Sequence, residues 1–173
     1  GNESEITGAT TLLGNASGMA AGTNGLVSVT YRGEENFWGN IWKFTDGMNI
    51  HCNIANGVHD LYVADNTFAE NTQASPYANA GITLATKEGY VSAMAYNETY
   101  DWLFVPAETL GDSALPVGDY FYQSASSGGY KIAQLGGYWI NGLANGAFYW
   151  NVGSAPFSYN RNVSGRLVYV PAA

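Results

Sequence analysis

Gly136-Gly137-Tyr138-Trp139-Ile140-Asn141-Gly142 runs through Leu143-Ala144-Asn145-Gly146 into Ala147-Phe148-Tyr149-Trp150-Asn151-Val152. The last six residues decide the fold class. Side chains of an extended strand alternate between two faces, so Phe148, Trp150 and Val152 share one face and Ala147, Tyr149 and Asn151 the other. The first set reads as core. By the same rule Trp139 lies opposite Tyr138 and Ile140, and burying Trp139 directs its neighbours outward. Outward Tyr138, Ile140, Leu143, Phe157 and Tyr159 would make an apolar patch of the kind that marks a binding surface.

The 31 residues from Gly136 to Arg166 contain seven aromatics, six Gly, five Asn and three Ser. Antibody loops favour this palette, because Tyr and Trp give rigid contact area while Asn, Ser and Gly give adaptable hydrogen bonding. An ordinary sheet with glycine turns and an aromatic core would have the same composition. Both readings stay open on composition alone.

Charge is distributed unevenly around this stretch. Residues 1–119 hold all fourteen acids and three bases (Arg32, Lys43, Lys87), a net of −11, whereas residues 120–173 hold only Lys131, Arg161 and Arg166. A segment of 54 residues without Asp or Glu supplies neither the carboxylate pair of a glycosidase nor the oxygen ligands of a calcium site. Any function located there works by contact.

The whole chain has 173 residues, 46% hydrophobic and 12% charged, against the usual ~25% charged. Its length predicts one domain over residues 1–173, and its 22 Gly and 25 aromatics predict a turn-rich, sheet-containing fold. The net charge of −8 argues against nucleic acid as a partner. Cys52 is the only cysteine, which excludes an internal disulfide. His51 and His59, taken with Asp60 or Asp65, match no ligand spacing, so neither a metal nor a cofactor is expected. No apolar run approaches the ~20 residues of a membrane span, so no membrane insertion is expected. The start, Gly1-Asn2-Glu3-Ser4-Glu5, has no basic or apolar leader pattern and reads as a soluble piece of a longer protein.

Strand signals fall at Gly25–Tyr31, Ile41–Phe44, Asp60–Val63, Gly89–Met94, Trp102–Val105, Asp119–Gln123, Tyr130–Leu135, Ala147–Val152 and Arg166–Val170. Short helices are expected near Thr10–Ala20 and at Arg32–Trp38, where Glu34 and Glu35 would complement a first-turn dipole. Ala64–Ala80 and Ala107–Val117 read as long polar loops.

Gly39-Asn40-Ile41-Trp42-Lys43-Phe44-Thr45-Asp46 resembles the "GN-V-W-E-W-T-x-D" signature of the formylglycine-generating-enzyme type of C-type lectin fold. Gly136-Gly137-Tyr138-Trp139, with Asn160-Arg161-Asn162-Val163-Ser164-Gly165-Arg166-Leu167, resembles that fold's closing "GGSW … RNRN … GFRL" segment. The spacing looks more specifically like the variable proteins of diversity-generating retroelements, known from phages and bacteria. The match runs from Tyr31 to Val170 and leaves residues 1–30 poorly defined. It implies an α+β, C-type-lectin-like fold of mostly short antiparallel strands and long loops with about two short helices.

In that family a reverse transcriptase rewrites the 3′ end of the gene with adenines randomised. The resemblance implies a variable region over residues 136–167, with ligand-binding positions Tyr138, Ile140, Asn141, Leu143, Ala144, Asn151, Gly153, Ser154, Phe157, Tyr159, Asn160 and Asn162. It implies scaffold roles for Gly137, Trp139, Gly142, Gly146, Phe148, Tyr149, Trp150, Arg161, Gly165, Arg166 and Leu167. Alternation sends Tyr149 outward, against that role. The enzymes of this fold type use a cysteine pair or a histidine-held iron, and the lectins a calcium motif; the chain lacks these parts.

The expected function is therefore binding without catalysis: a hypervariable surface that grips a protein or glycan on a target cell. Location on a virion tail tip or a bacterial cell surface follows, and a homo-oligomer would add avidity. The alternatives are a glycan-degrading enzyme using Glu34, Glu35, Asp46 or Asp101, and a purely structural phage or surface protein.

Overall fold

The computed structural model describes residues 8–22, 26–112, 114, 119–124 and 128–165. Among these, thirteen strands form: β1 (Gly18–Ala21), β2 (Val27–Tyr31), β3 (Glu34–Glu35), β4 (Trp42–Asn53), β5 (Val58–Val63), β6 (Ala78–Thr83), β7 (Gly89–Tyr90), β8 (Ala93–Met94), β9 (Pro106–Glu108), β10 (Tyr120–Tyr122), β11 (Gly129–Leu135), β12 (Trp150–Asn151) and β13 (Val163–Ser164). The described helical elements are single 3-10 turns at Thr11–Leu13, Glu98–Tyr100 and Gly142–Ala144.

The chain is thus mostly β, at 39% strand and 6% helix, with no described helix of seven residues or more. This corrects the α+β, C-type-lectin-like fold with two short helices. The local reason at Arg32–Trp38 is turn chemistry. Arg32 (φ 51°) and Gly33 (φ 84°) are both left-handed, and two such residues between paired strands make the hairpin turn that suits strand twist. Tyr31 accordingly pairs with Glu34, and Thr30 with Glu35. Glu35 is no helix-start residue: its carboxylate accepts from the Gly8 and Thr10 amides at 2.7 and 2.8 Å. In Thr10–Ala20 one 3-10 turn ends at Gly14, and β1 then pairs antiparallel with β2.

The largest sheet curls into a half-barrel in the order β6-β5-β4-β11-β12-β10-β7, with β13 added alongside β4. β4 reaches twelve residues by changing partner along its length. Its start pairs in parallel with β13, its end antiparallel with β5, and β11 runs beside both parts. The change comes at a bulge, where Ile132 faces Asn49 but Ala133 faces Thr45. The core is one cluster: Ile50, Leu61 and Val63, then Ala133, Phe121, Trp150 and Val152, closed over by Val91, Leu103 and Val105. Trp102–Val105, read as a strand, is irregular; the strand begins one residue later at Pro106. Ala64–Ala80, read as loop, gives its last residues to β6. Arg166–Val170 lies outside the described residues.

His59 is fully buried beside Cys52. Its Nδ1 lies 3.2 Å from the Gly57 carbonyl, which can only accept, so Nδ1 carries the proton. Nε2 is then the acceptor for the Cys52 thiol at 3.1 Å. Burial pushes the His59 pKa down, a trend to which nearby Lys131 adds, and pushes the Cys52 thiol up.

Candidate ligand-binding cleft

The site starts from a row of paired side chains. Across β10, β12 and β11, Tyr122 is in register with Asn151 and Asn151 with Gln134; partners directly opposite share a face. The adjoining row, Phe121, Trp150 and Leu135, turns to the other face, where Phe121 and Trp150 join the core. Strand alternation therefore puts packing on one side of three strands and an open row on the other.

Over the open row lies a cleft of about 660 Å³. Trp42, at the start of β4, and Tyr149 extend its floor; both are buried, and their rings meet edge to face at 4.7 Å. Tyr138 leans on Trp42 at 6.0 Å. Two loops make the walls. The first leaves β11 through Gly136 (φ 89°) and Gly137 (φ 73°), where a Cβ on Gly137 would overlap Asn145 Oδ1. Asn141 Oδ1 accepts the Tyr138 amide, and Asn145 Nδ2 donates to the Tyr138 carbonyl, both at 2.9 Å. The second wall carries Phe157 and Tyr159, 80% and 95% exposed.

Both loops are fastened to residues 39–42 through main-chain bonds. Gly39 N–H donates to Gly136 O (2.8 Å), Trp139 N–H to Asn40 O (3.1 Å) and Trp42 N–H to Asn162 O (2.9 Å). Asp119, from the acidic part of the chain, accepts the Phe148 amide at 2.7 Å.

A chain of amides orders the floor. Asn151 Oδ1 accepts the Gly153 main-chain N–H at 2.8 Å, which leaves Asn151 Nδ2 as the donor. That group donates to Gln134 Oε1 at 2.9 Å, and Ser154 Oγ donates to the same oxygen at 3.3 Å. Gln134 is 1% exposed, and its remaining donor, Nε2, has no partner among the described residues. The buried Asn162 Oδ1 is unpartnered in the same way. No lining residue carries a formal charge. Burial pushes the Tyr149 phenol far above its ordinary pKa, and the neighbouring Tyr120 phenol up as well, so these phenols stay neutral.

Of the twelve nominated positions, Tyr138, Asn141, Asn151, Ser154, Phe157, Tyr159, Asn160 and Asn162 line this cleft. The other four do not. Ile140 and Leu143 are exposed on the first loop beside it, Ala144 is half-buried there, and half-buried Gly153 sits against the Tyr122 ring. Asn141 and Asn151 also act as scaffold through the bonds above. The lining adds Trp42, Tyr122, Gln134, Tyr149, Ser158 and Val163. Gln134 had a signal in the sequence: a polar residue set between the apolar Ala133 and Leu135.

Two core assignments need correction. Phe148 is 51% exposed, because the strand begins only at Trp150 and alternation does not extend back into the preceding turn. Trp139 is half-buried, in a turn, with the exposed Arg161 guanidinium 6.0 Å over its ring. Arg166 and Leu167 lie outside the described residues.

None of the acids nominated for catalysis lines this cleft. Glu34 pairs with Lys43 at 3.4 Å and shares with Asp46 a second groove of about 480 Å³. Glu35 is bonded to Thr10, and exposed Asp101 follows the Glu98–Tyr100 turn. His51 packs on Tyr130 at 5.2 Å. Among the described residues no three His, Cys, Asp or Glu side chains gather as a metal site, and no helix is long and apolar enough to cross a membrane. No protein-family model, no curated protein and no solved structure matches the chain.

Proposed function

We propose that this chain is a ligand-binding domain, without catalysis, whose cleft and loops grip a protein or glycan on a target cell surface. The observation that carries the proposal is the meeting of eight nominated positions around one uncharged, aromatic- and amide-lined cleft. A cleft of that size lies within the range of about 300–1,000 Å³ typical of small-ligand sites. The proposal includes exchange of these side chains by a diversity-generating retroelement, on the sequence resemblance of Gly136–Leu167, and location on a virion tail tip or bacterial surface.

Tyr138, Phe157 and Tyr159 changed together to Ala test it. Each buried aromatic anchor contributes roughly 2 kcal/mol or more at an interface, so target binding should fall at least about 100-fold while thermal melting is unchanged. Unfolding would show instead that Tyr138, packed on Trp42, carries the fold, and the Phe157 and Tyr159 double variant then reads binding alone. Turnover of a polysaccharide panel, abolished by Asp46→Asn and indifferent to changes beyond residue 136, would replace binding with hydrolysis. At the gene level, a near-copy of the codons for residues 137–165 beside a reverse-transcriptase gene, differing only at adenines, is expected.

A further inference from the structure

The floor of the cleft narrows the ligand class. An amide donor shut away from water without a partner costs stability, about 1–3 kcal/mol, and folded chains leave few such groups. Gln134 Nε2 is such a donor, and its orientation is dictated: the Gly153 N–H fixes Asn151, and Asn151 with Ser154 fixes Gln134 Oε1. The amide can turn its donor to the chain only by giving up both bonds. Asn162 Oδ1, an acceptor, is the second unpartnered atom of the same lining.

Resting on the binding function proposed above, we infer that the cleft takes a neutral sugar, with the Gln134 and Asn162 amides as its polar anchors and tyrosine rings as its apolar walls. A hydroxyl group both donates and accepts, so one sugar hydroxyl can satisfy the fixed Gln134 donor and another the Asn162 amide in either of its orientations. The C–H faces of a pyranose cover ring carbon, which Tyr138 and Tyr122 supply. No lining residue carries a formal charge, so an acidic group of sialic acid, uronic acid or a sulfated sugar buried on the floor is unpaired there, which is costly; the exposed Arg161 stands outside the lining, over Trp139.

The test uses the whole chain on an array of glucose, galactose, mannose and N-acetylglucosamine oligosaccharides beside sialylated and sulfated ones. Hits are titrated by calorimetry, with the free monosaccharide as competitor. At least one neutral sugar is expected to bind, with a loss of about tenfold or more in Gln134→Glu, which keeps the acceptor and removes the amide donor. Because Gln134 is buried, Asn162→Leu serves as a second variant, and the melting curve of each is recorded. Leu12→Ser, at a fully exposed position on the Thr11–Leu13 turn far along the chain from the nominated positions, should leave binding unchanged.

Sugar binding indifferent to both anchor variants would overturn the inference, as would preference for acidic glycans. Labelled chain on bacterial cells separates the two proposals. Binding destroyed by periodate oxidation of surface glycans supports the sugar. Binding that survives periodate, is lost on protease treatment and needs Tyr138, Phe157 and Tyr159 overturns the sugar and keeps the binding function. Binding to neither array nor cells overturns both.

Discussion

The strands and the loops of the acid-free segment share one composition and meet opposite fates. In β10, β12 and the residue after it, Phe121, Trp150 and Val152 are buried to within a few per cent. In the loops between and after these strands, Leu143, Phe157 and Tyr159 are almost fully exposed. The difference shows that aromatic content does not distinguish a ring that anchors the fold from one left exposed on a loop. Position relative to a hydrogen-bonded strand does: once the ladder stops, alternation no longer assigns a face, and Phe148 turns outward one turn before Trp150 turns in.

The sharpest way to break the comparison is Trp150→Ala. It removes the largest ring from the core, and truncating a buried aromatic costs about 3–5 kcal/mol, so denaturant melts should show a destabilised or unfolded chain. Gly137→Ala comes next. It forces a side chain into a left-handed conformation against Asn145, and such strain costs of order 1–3 kcal/mol; the same melts read it.

A pH series probes the packed side alone. The folded-state pKa of His59 is depressed, so the unfolded chain binds the extra proton first as pH falls. Its contribution is complete above the usual imidazole value and is lost progressively as the pH falls below it. The melting temperature should decline over that range, and His59→Asn should flatten the slope. Leu143→Ser marks the smallest effect, within about 0.5 kcal/mol, as expected for an exposed site without special contacts.

Several strands were legible, β5 and β10 by alternation and β11, buried over four consecutive residues, by its largely apolar run. β5, β10 and β11 begin within two residues of the positions their patterns indicate. What escaped was set by turns and by long-range pairing. Glu34 and Glu35 suit a first helical turn, yet the left-handed Arg32-Gly33 pair closes a hairpin there. β1, β6 and β13 are edge strands with weak patterns, held by their partners. At the cleft, the loop positions came from sequence resemblance, whereas Trp42 and Tyr122 arrive through parallel pairings of distant segments. Local spacing does not encode such pairings.

The three bonds that hold the loops to residues 39–42 involve only peptide groups. A peptide group is the same whatever side chain it bears. Substitution at residues 138, 140, 157 and 159 therefore leaves these three bonds in place, and the side-chain fastening of the first loop falls to Asn141 and Asn145. Deep mutational libraries should record this as a sharp tolerance boundary, with wide freedom at those positions and little at Gly137, Trp150 and Val152.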